Sequence, residues 1–227
     1  MKVAIIVAAG SGKRFGGQLP KQFLILNDKP VLAHSIDVFN KTGAHVIVVL
    51  SEEMKGFWQE QCAHFHVSDH QIVIGGRERY DSVKNAVAFV PDTCTLVAIH
   101  DAARPAIDPT FVNRMWEAAE RNQSAIPYWP IADSLRMNQE GRWGIIDRNL
   151  VRSIQTPQCF QWSLIQHAYE GPYSPSFTDD ASVVEIAQPG ILHFELGMAE
   201  NIKITQSFDM EVMTSILSNR KIKREVE

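Results

Sequence analysis

The sequence predicts an α/β protein: a three-layer, Rossmann-like fold in which a mostly parallel mixed sheet lies between helices and sends out a β-arm. Three observations carry this expectation. Short apolar runs alternate with segments of helical period, as in βα units feeding a parallel sheet. Polar, glycine-bearing clusters follow several of the apolar runs, where parallel sheets place their ligands. The alternation breaks between residues 132 and 154, where short extended segments flank a turn-rich stretch.

Each element has a local reason. Residues 3–8 form an apolar run that reads as a buried strand. Over 31–40, Leu32, Ile36 and Phe39 share one helical face. His45 to Leu50 reads as the second strand, 52–66 as a helix of uneven period, and Gln71 to Ile74 as a short strand ending at Gly75-Gly76. Asp81 to Phe89 reads as helical, and Thr95 to His100 as another strand. Asp108-Pro109 opens a helix to about Arg121, because Asp caps the first turn and Pro fits it. Ser124 to Pro130 reads as a strand. In the arm, Ser134 to Met137 and Val151 to Ile154 are the extended segments, around a turn over Asn138 to Gly144. A helix is expected near Gln161 to Glu170 and another over Asp179 to Ala187. Strands follow at Ile191 to Glu195 and Asn201 to Thr205, then a terminal helix from Asp209 to Leu217.

The 227 residues suffice for one domain with a sizeable core, spanning 1–227, and 132–154 form an arm suited to docking on a second subunit. A composition of 45% hydrophobic and 21% charged residues is that of a soluble globular protein. The net charge of −4 argues against broad nucleic-acid binding, while leaving room for a small cationic pocket. Cys62, Cys94 and Cys159 lack metal-ligand spacing and read as free thiols of a reducing compartment. With no secretory leader pattern and no apolar run of membrane length, the expected location is cytoplasmic, with no membrane partner. His64, His66 and His70 lack the regular spacing of a zinc site.

The chemistry starts after the first strand. Ala8-Ala9-Gly10-Ser11-Gly12-Lys13-Arg14 is a glycine loop carrying cations, followed by Pro20-Lys21-Gln22. Gly10 and Gly12 permit close backbone approach to a ligand. Arg14 offers a fork of donors for phosphate oxygens and Lys21 a compact charge. The loop is neither a dinucleotide fingerprint, since Phe15 replaces the third glycine, nor a Walker loop, since Arg14 follows Gly12-Lys13. Taken alone, it also fits a strand–helix turn with a solvated basic rim. Gly75 to Ser82 is either a pyrimidine-reading loop, using Gly76 backbone and the Ser82 hydroxyl, or a capped turn. Asp101 either approaches Mg²⁺ or a ribose hydroxyl, or pairs with Arg104 to pin a loop. His100 reads as structural.

These stretches are together similar to the family of bacterial and plastid 2-C-methyl-D-erythritol 4-phosphate cytidylyltransferases. The resemblance rests on Ala8 to Arg14, Pro20-Lys21-Gln22, Gly76 to Val83 and His100 to Pro105. It continues through Thr156-Pro157-Gln158, Thr178 to Ser182 and Asn201 to Thr205, in order along nearly the whole chain. The resemblance implies a sugar-nucleotidyltransferase fold and transfer of CMP from CTP to methylerythritol phosphate, with release of pyrophosphate. The alternative acceptor is ribitol 5-phosphate or another polyol phosphate, used by a close relative. The resemblance further implies Mg²⁺, held chiefly by the phosphates of CTP with Asp101 nearby. It implies a homodimer exchanging arms.

By the same resemblance, Arg14, Lys21 and Lys203 are catalytic. Ala8, Ala9, Gly10, Ser11, Gly12, Gly76, Ser82 and Asp101 hold the nucleotide. Asp101, Arg104, Thr178 and Lys203 of one chain and Ser134 and Arg148 of the other hold the acceptor. Thr156 continues the pocket wall, and Asn201 orients Lys203 or its loop. Two positions depart from the family pattern. Arg77 stands where an acidic residue is common, and Ser134 where Thr is usual, keeping the hydroxyl.

Overall fold

A computed structural model describes residues 1–10 and 19–226, with side chains through Arg220. Strand β1 (Lys2–Val7) is followed by a 3₁₀ turn at Lys21–Phe23, a small hairpin of β2 (Ile25–Leu26) and β3 (Lys29–Pro30), and helix α1 (Val31–Lys41). Next come β4 (His45–Leu50), α2 (Glu52–Phe65), β5 (Gln71–Ile74), α3 (Arg79–Val87), β6 (Leu96–Asp101), α4 (Pro109–Asn122) and β7 (Ser124–Pro130). The arm is β8 (Leu135–Gln139) and β9 (Arg142–Ile146). The chain then runs through β10 (Arg152–Ile154), β11 (Gln158–Gln161), α5 (Trp162–Ala168), α6 (Asp180–Ala187), β12 (Phe194–Leu196) and α7 (Ser207–Val226).

The main sheet has the order β10-β7-β11-β6-β1-β4-β5, with β12 also paired to β7. Its β6-β1-β4-β5 half is parallel, and β11 lies antiparallel between β6 and β7. Helices cover both faces, so the central strands are apolar throughout rather than alternating. Period-two geometry then divides them. Ala4, Ile6, Val46 and Val48 pack against Leu32, Ile36, Phe39 and Trp116. Val3, Ile5, Ile47 and Val49 face Val83, Ile165 and Val184. A smaller cluster of Leu26, Val31, Ala106, Ile204 and Met213 docks α7. Register brings Val7 level with both Val49 and Asp101, so the loops leaving β1, β4 and β6 emerge side by side.

Several expectations are corrected. The helix expected near 161–170 is α5, and the strand ahead of it, Gln158 to Gln161, is not among the expected elements; the buried Gln158 amide donates to Asp179 Oδ2 (2.8 Å) and accepts from Ala181 N (2.8 Å), which satisfies a polar side chain inside the core. The arm turn is two residues long, not seven. Glu140 (φ 50°) and Gly141 (φ 85°) both take the left-handed region, so pairing resumes at Arg142, and Arg152 to Ile154 returns to the main sheet. Asn201 to Thr205 is not a strand: Ile204 N bonds Ala103 O (2.8 Å), but no ladder forms. The late strand is shorter and shifted, Phe194–Leu196. The last helix is longer than expected, Ser207–Val226.

Candidate active site

Close packing of backbones builds the floor of the site. A Cβ on Gly75 would lie 2.7 Å from Ala9 Cβ, and one on Gly76 would lie 2.3 Å from Asp81 Cβ. Only glycine lets the loop after β5 lie against the end of β1. Gly76 N donates to Ser82 Oγ (3.1 Å), and reciprocal bonds between Glu78 and Asp81 cap α3. We expect Gly76→Ala to cost on the order of 1–3 kcal/mol of stability, read from urea unfolding, because the displaced neighbours are Asp81 Cβ and backbone. Across the cleft, Gln22 closes the base of the glycine loop. Its buried amide donates to Ala8 O (2.6 Å) and Gly10 O (2.8 Å). Its neighbour Lys21 donates from Nζ to Ile204 O.

Two cavities adjoin. The larger, about 380 Å³, is lined by Ala8, Ala9, Gly10, Lys21, Gly76, Ser82, Asp101 and Lys203, among others. The second, about 260 Å³, is lined by Asp101, Arg104, Thr156, Thr178, Asp179 and Lys203, among others. Arg79, Asp101 and Lys203 line both and form the seam between them. At the seam, Lys203 Nζ donates to Asp101 Oδ2 (2.7 Å), Arg79 Nη2 lies 3.4 Å from Oδ1, and Arg104 Nε lies 3.8 Å from Oδ2. Burial alone would raise the Asp101 pKa. The charges of Arg79, Lys203 and Arg104 outweigh it and hold the carboxyl well below the usual range.

His100 supports this seam from below. Its Nδ1 lies 2.9 Å from Thr156 Oγ1, which accepts from Asp101 N, and its Nε2 lies 3.1 Å from Arg104 O. Those partners assign a neutral ring with the proton on Nε2. Burial lowers the His100 pKa from 6.5 to about 4. Between these values the unfolded chain takes up a proton here and the folded chain does not. Stability is therefore full above pH 6.5 and falls by on the order of 3 kcal/mol towards pH 4. Urea unfolding across that range should show the slope in the wild type and a flatter profile in His100→Gln.

The sequence-predicted residues divide by where they lie. Ala8, Ala9, Gly10, Lys21, Gly76, Ser82, Asp101 and Lys203 converge on the larger cavity, and Arg104 and Thr178 on the smaller. Ser11, Gly12 and Arg14 lie outside the described residues. Ser134 and Arg148 are exposed on the arm and line neither cavity; Arg148 donates to Ala132 O. Asn201 accepts on its backbone oxygen from Arg104 (2.8 Å) and bonds Thr156 O through its side chain (2.8 Å), so it fixes the loop that carries Lys203 and also orients Arg104. Arg79 has a partner that no local pattern in the sequence announces. Its bidentate partner is the buried Asp180 (2.6 and 2.9 Å), inside a motif already noted.

Asp101 does not fit a resident Mg²⁺ site in this arrangement. Both of its oxygens face cations, which a divalent ion would have to displace. Among the described residues, no three His, Cys, Asp or Glu side chains are placed to share a metal. In this arrangement Asp101 anchors Lys203, Arg79 and Arg104 and balances their charge. Among the described residues no helix is long and apolar enough to cross a membrane.

A family profile described as 2-C-methyl-D-erythritol 4-phosphate cytidylyltransferase matches residues 2–219. A protein of that description from Bacteroides thetaiotaomicron is 40% identical over 216 residues, covering 94% of this chain and 98% of its own length. The crystal structure of 2-C-methyl-D-erythritol 4-phosphate cytidylyltransferase from Thermus thermophilus superposes with a TM-score of 0.75 at 26% identity, over 96% of this chain and all of that one. A 4-diphosphocytidyl-2C-methyl-D-erythritol synthase from Anaerococcus prevotii shares the fold, with a TM-score of 0.80 at 24% identity over 96% of this chain and 98% of that one. The order of motifs, the paired cavities and these matches agree, and the chain belongs to the 2-C-methyl-D-erythritol 4-phosphate cytidylyltransferase family.

Proposed function

We propose that this protein transfers CMP from CTP to 2-C-methyl-D-erythritol 4-phosphate, forming CDP-methylerythritol and pyrophosphate in non-mevalonate isoprenoid synthesis. The observation that carries this reading is a pair of adjoining cavities joined at a seam of charged residues. Two anionic reactants need two lobes and shared cations between them. An acceptor phosphate oxygen bonds to the α-phosphorus, and the bond from that phosphorus to the bridging oxygen breaks. The electron pair leaves with pyrophosphate. The acceptor is already anionic, so no general base is required. Lys21, Lys203 and Arg14 oppose the charge that grows on the phosphorus and the leaving group.

Mg²⁺, where bound with CTP, would offset the charge of its phosphates, and the chain's own residues hold the base and the acceptor. The Gly76 backbone and the Ser82 hydroxyl, with Ala8 and Ala9 opposite, read the cytosine. Arg104, Thr178 and Asp101 hold the acceptor, and Lys203, held by Asp101 at the seam, faces both lobes to meet phosphate.

The working form is a homodimer of single-domain subunits in the cytoplasm, with the 132–154 arm of one subunit completing the acceptor lobe of the other through Ser134 and Arg148. In support, the arm leaves Trp143 68% and Ile145 82% exposed on its own chain, and among the described residues the buried Arg104 Nε has no hydrogen-bond partner. Pyrophosphate release from CTP, Mg²⁺ and methylerythritol phosphate tests the function. Ribitol 5-phosphate is the comparator. Faster turnover of ribitol phosphate would replace the acceptor, and no release with either would overturn the reading.

A further inference from the structure

We propose that the Arg79–Asp180 ion pair is a positioning clamp that locks the nucleotide lobe to the acceptor lobe, so that base selection and acceptor placement depend on one contact. The proposal rests on the cytidylyltransferase reading above. Arg79 is the first residue of α3, and α3 carries Ser82 and abuts Gly76. Asp180 is the first residue of α6, next to Thr178 and Asp179 of the acceptor lobe. The guanidinium spans the gap with two parallel bonds, Nη1 to Oδ1 (2.9 Å) and Nη2 to Oδ2 (2.6 Å), and Nη2 also faces Asp101 Oδ1 at 3.4 Å. One side chain thus ties together three elements far apart in sequence.

The physical form of the contact points to placement rather than adhesion. Asp180 is fully buried and takes a third bond from Tyr169 OH (2.7 Å). Burying such a pair costs desolvation that a packed apolar contact would avoid, so its stability gain is small, while its fork geometry fixes both partners in angle and distance. A cation at the first position of α3 also opposes that helix's own dipole. Among the described residues, its carboxylate partners Asp180 and Asp101 hold it there. The apolar residues Tyr80 and Val83 already bind α3 to the core, so the pair is not needed for attachment.

The variants are Arg79→Lys, which keeps the charge and loses the fork, and Asp180→Asn, which keeps the shape and loses the charge. Hydrogen exchange is followed in each on adding Mg²⁺CTP alone. Steady-state assays give kcat, the KM for acceptor and the preference for CTP over UTP. In the wild type, we expect CTP to slow exchange at 75–82 and also at 178–182, by about fivefold or more. In Arg79→Lys the protection stays at 75–82, kcat falls by about a hundredfold, acceptor KM rises, and the CTP preference narrows. A fold defect that only lowers the amount of active enzyme leaves the nucleotide preference and KM unchanged, and that result overturns the clamp. Protection confined to 75–82 in the wild type also overturns it. No CTP-dependent protection anywhere instead overturns the cytidylyltransferase reading. Should Asp180→Asn fail to fold, Arg79→Lys decides the matter alone.

Discussion

Lys21→Ala is expected to lower the rate of the chemical step by about a hundred- to a thousandfold, while CTP affinity changes by much less. The asymmetry follows from where the ammonium sits. Pro20 (φ −58°) and the 3₁₀ turn fix the Lys21 backbone, and the buried Gln22 amide ties that turn to the carbonyls of Ala8 and Gly10. The Lys21 ammonium is therefore delivered from a rigid base, at the wall shared with Asp101, Lys203 and Thr205. On the proposed mechanism, ground-state CTP already has its charge met by its counter-cations. The extra charge that appears as the α-phosphorus becomes five-coordinate needs a cation placed in advance, and a rate loss measures that placement. Single-turnover quench experiments separate the two quantities. A loss carried wholly by weaker CTP binding would remove Lys21 from the reacting centre. Lys21→Arg should recover only part of the rate, since a planar fork does not reproduce a compact charge.

Much of this arrangement could be read before any coordinates. The apolar runs at 3–8 and 45–50 have no polar alternation, which only a strand covered on both faces tolerates, and they became β1 and β4. Asp108-Pro109 marked α4 by its cap, and Asp108 Oδ1 does accept from Phe111 N (2.8 Å). Other parts were hidden for physical reasons. β11 has buried Gln158 at its start, and its polarity is explained only by Asp179 and Ala181, about twenty residues on. Ile202 and Ile204 alternate with polar neighbours like a strand, yet only Ile204 finds a backbone partner, at Ala103. The arm turn was overestimated because Asn138, Gly141 and Gly144 all favour turns, whereas Asn138 Oδ1 instead accepts from Gly141 N (2.9 Å) and tightens a two-residue turn. The Arg79–Asp180 pair spans 101 positions, and no local pattern in a single sequence announces which carboxylate such an arginine will meet.

Equal mixing of Arg104→Ala and Arg148→Ala subunits is expected to restore about one quarter of wild-type activity, with each variant alone nearly inactive. The figure follows from counting sites. Where the acceptor lobe takes Arg104 from one subunit and Arg148 from its partner, a mixed dimer has one site lacking both arginines and one lacking neither. Random exchange makes about half the dimers mixed, and half their sites are intact. On the proposed shared site, each variant alone would lose a charge-assisted contact to the acceptor phosphate, worth about tenfold to a hundredfold in kcat/KM. The structure motivates the experiment from both ends. Arg104 already donates to Asn201 O and lies within the second cavity, while Arg148 stands exposed on the arm and lines neither cavity of its own chain. A site needing both cannot be completed by one chain in this arrangement. Activity of the mixture is read after brief unfolding and refolding together, against each variant treated alone. Recovery near a quarter places the two arginines in one site built by two subunits. A mixture no more active than its components would return Arg148 to the solvent and leave the acceptor lobe to a single chain.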